Sequence, residues 1–184
     1  MIIKFNKIQD LGDARYAASC MAEYIGFSML GEEALPVGSI QEIIGWCAGP
    51  KVILEVSDSE IYTIDSWVNT LPIDGIECSK ERLEELRNHF PDIQLWIIKE
   101  NDDSRTLLNN NSTKLVAIRP SIKSARNMNI SAIQGISIDC VREVETGRKD
   151  YSDWNDFFEE LEILKSSCDA DVTVVADPDL MEGE

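Results

Sequence analysis

The sequence predicts an α/β protein whose strands run parallel to one another. Short apolar runs alternate with amphipathic stretches along most of the 184 residues, and this alternation is typical of parallel strands joined by right-handed helical crossovers. Some runs, such as Val52-Ile53-Leu54, are apolar at every position, which indicates strands buried on both faces. The length favours one domain with a sizeable core.

The strand pattern recurs in separate segments, and helix-start signals lie between them. The predicted strands cover residues 2–6, 24–29, 51–56, 75–78, 95–100, 115–119 and 135–140. Two of the helix starts have the spacing of a capping box, in which a serine accepts a hydrogen bond from a free amide and a glutamate reaches back. The predicted helix signals are Asp10, the boxes Ser39/Glu42 and Ser57/Glu60, the segment 79–90, and Ser152.

Two architectures fit this order, a doubly wound open sheet and a closed β/α barrel of the TIM type. No Gly-x-Gly-x-x-Gly or Walker loop follows a predicted strand, which excludes the usual nucleotide-binding open sheet. For a barrel, 184 residues fall short of the roughly 200 that eight full units need. We expect the shortfall at residues 101–113, with no strand of ordinary length and no helix there. A barrel would thus be shortened or incomplete around its fifth to seventh units.

The charge balance excludes some classes of partner. Acidic side chains outnumber basic ones by 34 to 17, so the formal net charge is -17. Such a protein repels phosphate backbones and anionic lipids, and we expect neither nucleic acid nor a membrane as partner. No apolar run approaches the roughly 20 residues of a membrane span. The first residues also lack the features of a signal peptide, so a cytoplasmic location is expected.

The cysteines and the single histidine predict no metal or redox site. The chain has five cysteines without a C-x-x-C pair, whereas a disulfide framework or a zinc site needs paired spacing. We therefore expect free thiols, no metal and no cofactor. His89 falls at the end of a predicted helix, where a positive charge is favourable, and a catalytic triad built on it is not expected.

Motifs at both ends of the chain resemble one enzyme family. The start contains Lys4-Phe5-Asn6-Lys7-Ile8, Asp13-Ala14-Arg15 and Tyr24-Ile25-Gly26-Phe27. It is similar to the start of phosphoribosylanthranilate isomerase, which has Lys-Ile-Cys-Gly-Ile, a Glu-Asp-Ala-Arg helix and a Tyr-Ile-Gly-Phe second strand. Near the end, Gly135-Ile136-Ser137-Ile138-Asp139 and Gly147-Arg148-Lys149-Asp150 resemble the family's eighth strand, Gly-Val-Asp-Val-Ser, and its Pro-Gly-x-Lys-Asp turn. The resemblance implies the barrel, and it thins between about residues 60 and 115.

The resemblance also implies a reaction, an Amadori rearrangement of an aminoribosyl phosphate that needs a general acid and a general base. The family's base is a cysteine at the end of the first strand, and Asn6 stands at that position. An amide has no basic lone pair near neutral pH and cannot abstract a proton. The family's acid is an aspartate after the sixth strand, and only Asp102 and Asp103 lie near the shortened region. Both catalytic roles are therefore predicted to be vacant.

The phosphate-binding features of the family are also replaced. Its Ser-Pro-Arg-Tyr-Val stretch corresponds here to the segment 32–37, Glu-Glu-Ala-Leu-Pro-Val. Barrels of this type usually hold phosphate on backbone amides of glycine-rich turns after strands seven and eight. Those turns contain Arg119-Pro120 and Asp139-Cys140, whose side chains would block close approach. We predict that the phosphate site is lost.

Polar residues at the predicted strand ends define the candidate site, because these ends converge on one face of a barrel. One interpretation is a rebuilt pocket, with Lys99 or Arg119, beside Glu77, binding a ligand, and Glu55 or Asp139 as acid or base. The other is a plug in which the charges neutralise one another, since ion-pair networks perturb pKa values as active sites do. The candidate residues are Asn6, Glu55, Glu77, Lys99, Arg119 and Asp139.

Two functions are therefore considered. The first is a non-catalytic descendant of the isomerase that acts as a binding or interaction module, and the second is an active isomerase or a related sugar isomerase or lyase with substitute residues. The partners considered are a small anionic metabolite and a second copy of the chain. We expect one barrel domain over residues 1–168 and an acidic extension over 169–184, with a short strand at 171–177 that pairs with another edge.

Overall fold

Eight strands close into one barrel in the computed structural model, with strands adjacent in chain order and the last paired to the first. The structure describes residues 1–56, 58–101, 104–109, 114–118, 122–127, 133–140 and 149–172. The strands are β1 (Ile2–Asn6), β2 (Tyr24–Ser28), β3 (Lys51–Glu55), β4 (Gly75–Ser79), β5 (Gln94–Asn101), β6 (Ser104–Asn109), β7 (Lys114–Ile118) and β8 (Gly135–Asp139). The predicted α/β barrel is confirmed.

Helices cover the outside of the barrel. They are α1 (Leu11–Ser19), α2 (Val37–Trp46), α3 (Ile61–Thr70), α4 (Leu83–His89), α5 (Ile122–Asn127) and α6 (Ser152–Val172), with a 3-10 turn over Lys80–Arg82 before α4. Asp10 caps α1 as predicted, because its Oδ1 accepts a hydrogen bond from the Asp13 amide at 2.9 Å. The capping box at Ser39 is wrong. Helix α2 begins earlier, after the extended backbone of Pro36 (ψ 141°), so Ser39 already lies inside it.

The shortened region is a meander of antiparallel strands. Strand β6 pairs antiparallel with both β5 and β7, while every other pair in the barrel is parallel. Residues 101–113 therefore do contain a strand of ordinary length, contrary to the prediction. Only residues 102–103 and 110–113 connect these strands, which leaves no room for a helix. The predicted shortening around units five to seven is confirmed, and it takes the form of lost helices.

Two apolar layers hold the barrel. Outward side chains pack under the helices, as where the Phe5 ring lies 5.1 Å from that of Trp154 on α6. Inward side chains form a smaller core near the amino ends of the strands, where the rings of Tyr24 and Trp96 meet at 5.1 Å. These two residues belong to β2 and β5, which are not neighbours, so their contact crosses the inside of the barrel. Polar side chains fill the other end.

The last helix reaches further than expected. Helix α6 runs to Val172, so the first two residues of the strand predicted at 171–177 are helical, and that part of the prediction is wrong. Residues 173–184 lie outside the described residues, and the proposed strand pairing stays a prediction. Within the part of the chain that the structure describes, no helix has the length and apolar character to cross a bilayer.

Candidate functional site

The period-two alternation of β1 turns two polar side chains into the barrel. Ile3 and Phe5 pack outward under the helices, whereas Lys4 and Asn6 point inward, one above the other. Successive residues of a strand face opposite sides, so positions four and six share one face. The ammonium of Lys4 and the amide of Asn6 therefore lie inside the barrel at the end where the parallel strands finish, which we call the mouth.

Lys4 is the centre of a buried ion cluster. Its side chain is 0% exposed, and its Nζ lies 2.6 Å from Glu77 Oε2 and 3.3 Å from Glu55 Oε1. The same Nζ donates a hydrogen bond to Asn6 Oδ1. Glu55 and Glu77 face each other in register on β3 and β4, and two adjacent carboxylates repel unless a cation joins them. Lys4 is that cation.

Gly26 on β2 provides the space for this cluster. A Cβ built on Gly26 would collide with Glu55 Oε1 and would lie 3.0 Å from Lys4 Nζ. Strand β2 separates β1 from β3, so the lysine must reach over it to meet the glutamate. The missing side chain of Gly26 is what permits that reach.

Asn6 is fixed by its neighbours on β8. Its Nδ2 donates to Ser137 Oγ at 2.6 Å and to Asp139 Oδ1 at 2.9 Å. With Oδ1 accepting from Lys4, the amide uses both its donor and its acceptor group inside the protein. Asn6 is therefore a connector between the Lys4 cluster and Asp139.

Lys7 extends the network to the surface of the mouth. Its backbone is left-handed, with φ 55°, a conformation that favours glycine and costs other residues roughly 1–2 kcal/mol. Its Nζ bridges Asp139 Oδ2 at 3.2 Å and Glu33 Oε2 at 3.3 Å. The isomerase motif quoted above has glycine at this position, the residue that this backbone conformation favours.

Burial and the charges of the cluster shift its pKa values. Burial raises the pKa of Glu55 to about 7. The Lys4 charge opposes this rise, but the nearby Glu77 charge partly cancels the effect of Lys4. Burial alone would lower the pKa of Lys4, but the charges of Glu77 and Glu55 reverse that effect and leave it raised. The pKa of Lys7 is likewise raised by Asp139 and Glu33 against the effect of burial. Both lysines are thus ammonium ions at neutral pH and cannot act as nucleophiles.

A second buried cluster lies beside the mouth, between α1 and the start of α6. Asp13 is fully buried and accepts from Tyr151 OH at 2.8 Å, while Lys149 Nζ lies 2.5 Å from Asp13 and 2.9 Å from Asp10. Asp13 and Lys149 belong to two of the motifs on which the resemblance rests. Their contact joins the first and last parts of the barrel, so we assign these motifs a structural role.

The structure brings together four of the six candidate residues. Asn6, Glu55, Glu77 and Asp139 belong to one connected network through Lys4 and Lys7. Lys99 lies on β5 opposite Thr106 of β6, with its side chain outside the described parts. Arg119 lies outside the described residues.

Sequence reasoning missed Lys4, Lys7 and Ser137. Lys4 and Ser137 had a usable signal, because each stands two residues before a candidate at a strand end, Asn6 or Asp139, and so shares its face. Among the described residues, no group of three or more His, Cys, Asp or Glu side chains is arranged to hold a metal ion. The described contacts of the network are ion pairs and hydrogen bonds.

Sequence comparisons with protein-family models and with curated proteins find no match. Solved structures do match the barrel. The phosphoribosylanthranilate isomerase of Thermus thermophilus is 12% identical, with a TM-score of 0.69 over 89% of this chain and 100% of that chain. The fold is that of phosphoribosylanthranilate isomerase.

Further isomerase structures agree. The Thermotoga maritima enzyme matches with a TM-score of 0.67 and 11% identity over 88% of this chain and 99% of that chain. The Pyrococcus furiosus enzyme matches with a TM-score of 0.62 and 12% identity, over 89% and 99% of the two chains. The resemblance seen in the sequence is thus confirmed at the level of the fold.

Proposed function

We propose that this chain is an isomerase-like barrel that has lost the isomerase reaction and acts as a binding or interaction module. The observation that carries the proposal is the buried network of Lys4, Glu55, Glu77 and Asn6. It fills the end of the barrel where enzymes of this fold place their chemistry. The described side chains there bind one another through ion pairs and hydrogen bonds.

The position of the family's base supports the proposal. An amide cannot take a proton from carbon near neutral pH, and Asn6 bonds to Lys4, Ser137 and Asp139. A cysteine placed there would sit beside the Lys4 ammonium and the Asp139 carboxylate. The single substitution Asn6→Cys is expected to leave the protein inactive, because it restores the base while the acid stays absent.

The direction of β6 supports the loss of the acid. In the family the acid follows the sixth strand, and the carboxyl ends of parallel strands all lie at the mouth. Strand β6 is antiparallel to β5 and β7, so its carboxyl end at Asn109 lies at the opposite end of the barrel. The end of the sixth strand is therefore far from the mouth, and the acid candidates Asp102 and Asp103 lie outside the described residues.

The charges at the rim disfavour a phosphate group. A phosphate bound near Lys7 would compete with Asp139 and Glu33, which already bridge that ammonium. Each carboxylate at about 4 Å from a phosphate charge costs on the order of 4 kcal/mol at an effective dielectric constant near 20. We therefore propose that the sugar-phosphate site is lost, and we rank a small anionic metabolite below a protein partner.

An active isomerase with substitute residues is the second candidate. Its support is Glu55, whose pKa is raised to about 7 by burial, the range that suits a general acid or base. Against it, Glu55 Oε1 is held by Lys4 Nζ and by the Lys7 amide, both at 3.3 Å. A catalytic Glu55 would have to leave these bonds, and this cost favours the first candidate.

The test is turnover of phosphoribosylanthranilate by the purified chain, together with rescue of a tryptophan auxotroph that lacks the isomerase. We expect a flat trace at high protein concentration and no rescue, for the wild type and for Asn6→Cys alike. Restoring one member of a catalytic acid–base pair recovers little activity, since the contributions of groups that act together are not additive. Wild-type turnover that disappears in Asp139→Asn or Glu55→Gln would refute the proposal and identify the substitute residue.

Two further attributes belong to this proposal. One solved relative is described as monomers generated from a dimeric phosphoribosylanthranilate isomerase, and we keep a homodimer as a hypothesis for this chain, to be measured by light scattering. A cytoplasmic location is proposed because Cys20, Cys47, Cys78 and Cys140 are free thiols, as in reducing compartments.

A further inference from the structure

A groove of about 390 Å³ lies outside the barrel, between the start of α1 and one face of α2. Ser39, Glu42, Ile43 and Trp46 share that face of α2, because residues three, four and seven apart stack on a helix. The groove is separate from the ion network of the mouth. Its walls include Asp10, Leu11, Leu35, Glu42, Ile43 and Trp46.

Trp46 is the distinctive feature of this groove. Its side chain is 72% exposed, although Ile43 one turn earlier is buried. Leu11 and Leu35 are half-buried and complete an apolar floor. Tryptophan beside an apolar pocket is the composition of a protein–protein hot spot, and leaving this indole in water costs hydrophobic free energy that a partner would recover.

The charges of the groove indicate the chemistry of that partner. Its described lining holds two carboxylates, Asp10 and Glu42, and no cation. Lys149 pairs with Asp10 at 2.9 Å, whereas Glu42 is exposed and has no ion pair among the described residues. Helix α2 has no basic residue at all, and α1 has only Arg15, which is not part of the lining.

We propose that this groove docks a basic segment of another protein, which places an apolar side chain against Trp46 and a lysine or arginine against Glu42. The inference deepens the proposed role as an interaction module and rests on it. A chain of net charge -17 attracts basic partners and repels its own copies. A symmetric dimer through this face would also bring the two Glu42 carboxylates together, so we favour a different, basic chain over a second copy.

The test uses a synthetic amphipathic helix of leucine and lysine as probe, with a peptide of the same pattern carrying glutamate for lysine as its control. Binding to the purified full chain is measured by calorimetry at low salt and at physiological salt. We expect the lysine peptide to bind, more weakly as salt rises, and the glutamate peptide not to bind. Trp46→Ala should weaken binding by about tenfold or more, and Glu42→Gln by a smaller factor.

Matched control variants distinguish binding in the groove from nonspecific attraction of a basic peptide to an acidic protein. Tyr62 on α3 is an exposed aromatic outside the groove, 70% exposed, and Glu81 is an exposed carboxylate in the turn before α4. Tyr62→Ala and Glu81→Gln should bind the probe within about twofold of wild type, as expected for residues outside a hot spot. Circular dichroism is expected to show all four variants folded, because each changed side chain is exposed.

Several outcomes would overturn the inference. Equal binding by wild type and Trp46→Ala, equal losses in the control variants, or no binding of the lysine peptide would each refute the groove as the docking site. A dimer mass in light scattering that returns to monomer in Trp46→Ala would identify a second copy as the occupant. Isomerase turnover is a separate readout. Turnover together with intact peptide binding would refute the proposed loss of the reaction and support the groove as a docking site. No turnover and no peptide binding would support the loss of the reaction and refute the docking site.

Discussion

Replacing Lys4 by methionine tests how much the ion cluster contributes to stability, because methionine keeps the length and apolar body of the side chain and removes its charge. In the wild type the ammonium joins Glu55 and Glu77, which face each other across neighbouring strands. Without it, two carboxylates remain side by side in the barrel interior. Among the described residues, Glu55 keeps the hydrogen bond from the Lys7 amide, at 3.3 Å.

The magnitude follows from burial. The side chains of Lys4 and Glu77 are 0% and 1% exposed, so water does not screen the loss. Removing one partner of a buried ion pair typically costs about 3–5 kcal/mol, since the other charge stays buried and uncompensated. We expect Lys4→Met to lower the free energy of unfolding by this amount at pH 8. The loss should shrink at pH 5, because Glu55, whose pKa burial raises to about 7, is then protonated and no longer adds a buried charge.

The assay is urea denaturation followed by circular dichroism at both pH values. Lys51→Met is the matched control, because Lys51 pairs with Glu23 at 3.5 Å at a site where both side chains are about half exposed. An exposed pair contributes roughly 0–1 kcal/mol, so this variant should stay close to wild type. If Lys4→Met were as stable as Lys51→Met at pH 8, or if its loss did not depend on pH, the cluster would not hold the barrel as argued.

Two further predictions concern the same cluster. Because burial raises the pKa of Glu55 to about 7 in the folded state, from 4.5, its protonated form stabilises the fold below about pH 4.5, and this contribution is lost as the pH rises through about 7. As the pH rises from 5 to 8, the free energy of unfolding of Glu55→Gln should therefore increase relative to that of the wild type. A difference in the free energy of unfolding, measured by urea titration, that stays constant with pH would contradict this. Gly26→Ala should lose about 1–3 kcal/mol through overpacking against Glu55 and Lys4, whereas the control Gly45→Ala, in open space on α2, should be neutral or stabilising; equal stability of the two would refute the steric argument.

The strands of the barrel were predictable because their signal is local. The run of residues 51–55 is apolar at its centre and forms β3, and the other parallel strands follow the same rule. Strand β6 has no such signal, since its segment is short and flanked by polar residues. It forms because both of its edges are paired, with β5 and with β7, and pairing of this kind depends on context.

The residues of the site that end strands were predictable from the sequence. Asn6, Glu55 and Asp139 each close a strand, and the convergence of strand ends brings them together. Lys4 lies inside a strand, and its partners Glu55 and Glu77 stand 51 and 73 residues away. The spacing from Asn6 indicates that Lys4 faces inward, but no local pattern reveals a pairing over that distance, so its place at the centre of the cluster emerges only from the closed barrel.

The shortening of the chain and the proposed loss of the catalytic acid rest on one geometric fact. A parallel connection needs a crossover of a dozen or more residues, whereas antiparallel strands can be joined by very short turns. With only residues 102–103 and 110–113 as connections, β6 can pair with both neighbours only by reversing its direction. The reversal keeps the barrel closed and leaves no unpaired edge. It also places the carboxyl end of the sixth strand away from the mouth, and the proposed loss of the acid rests on this change of direction.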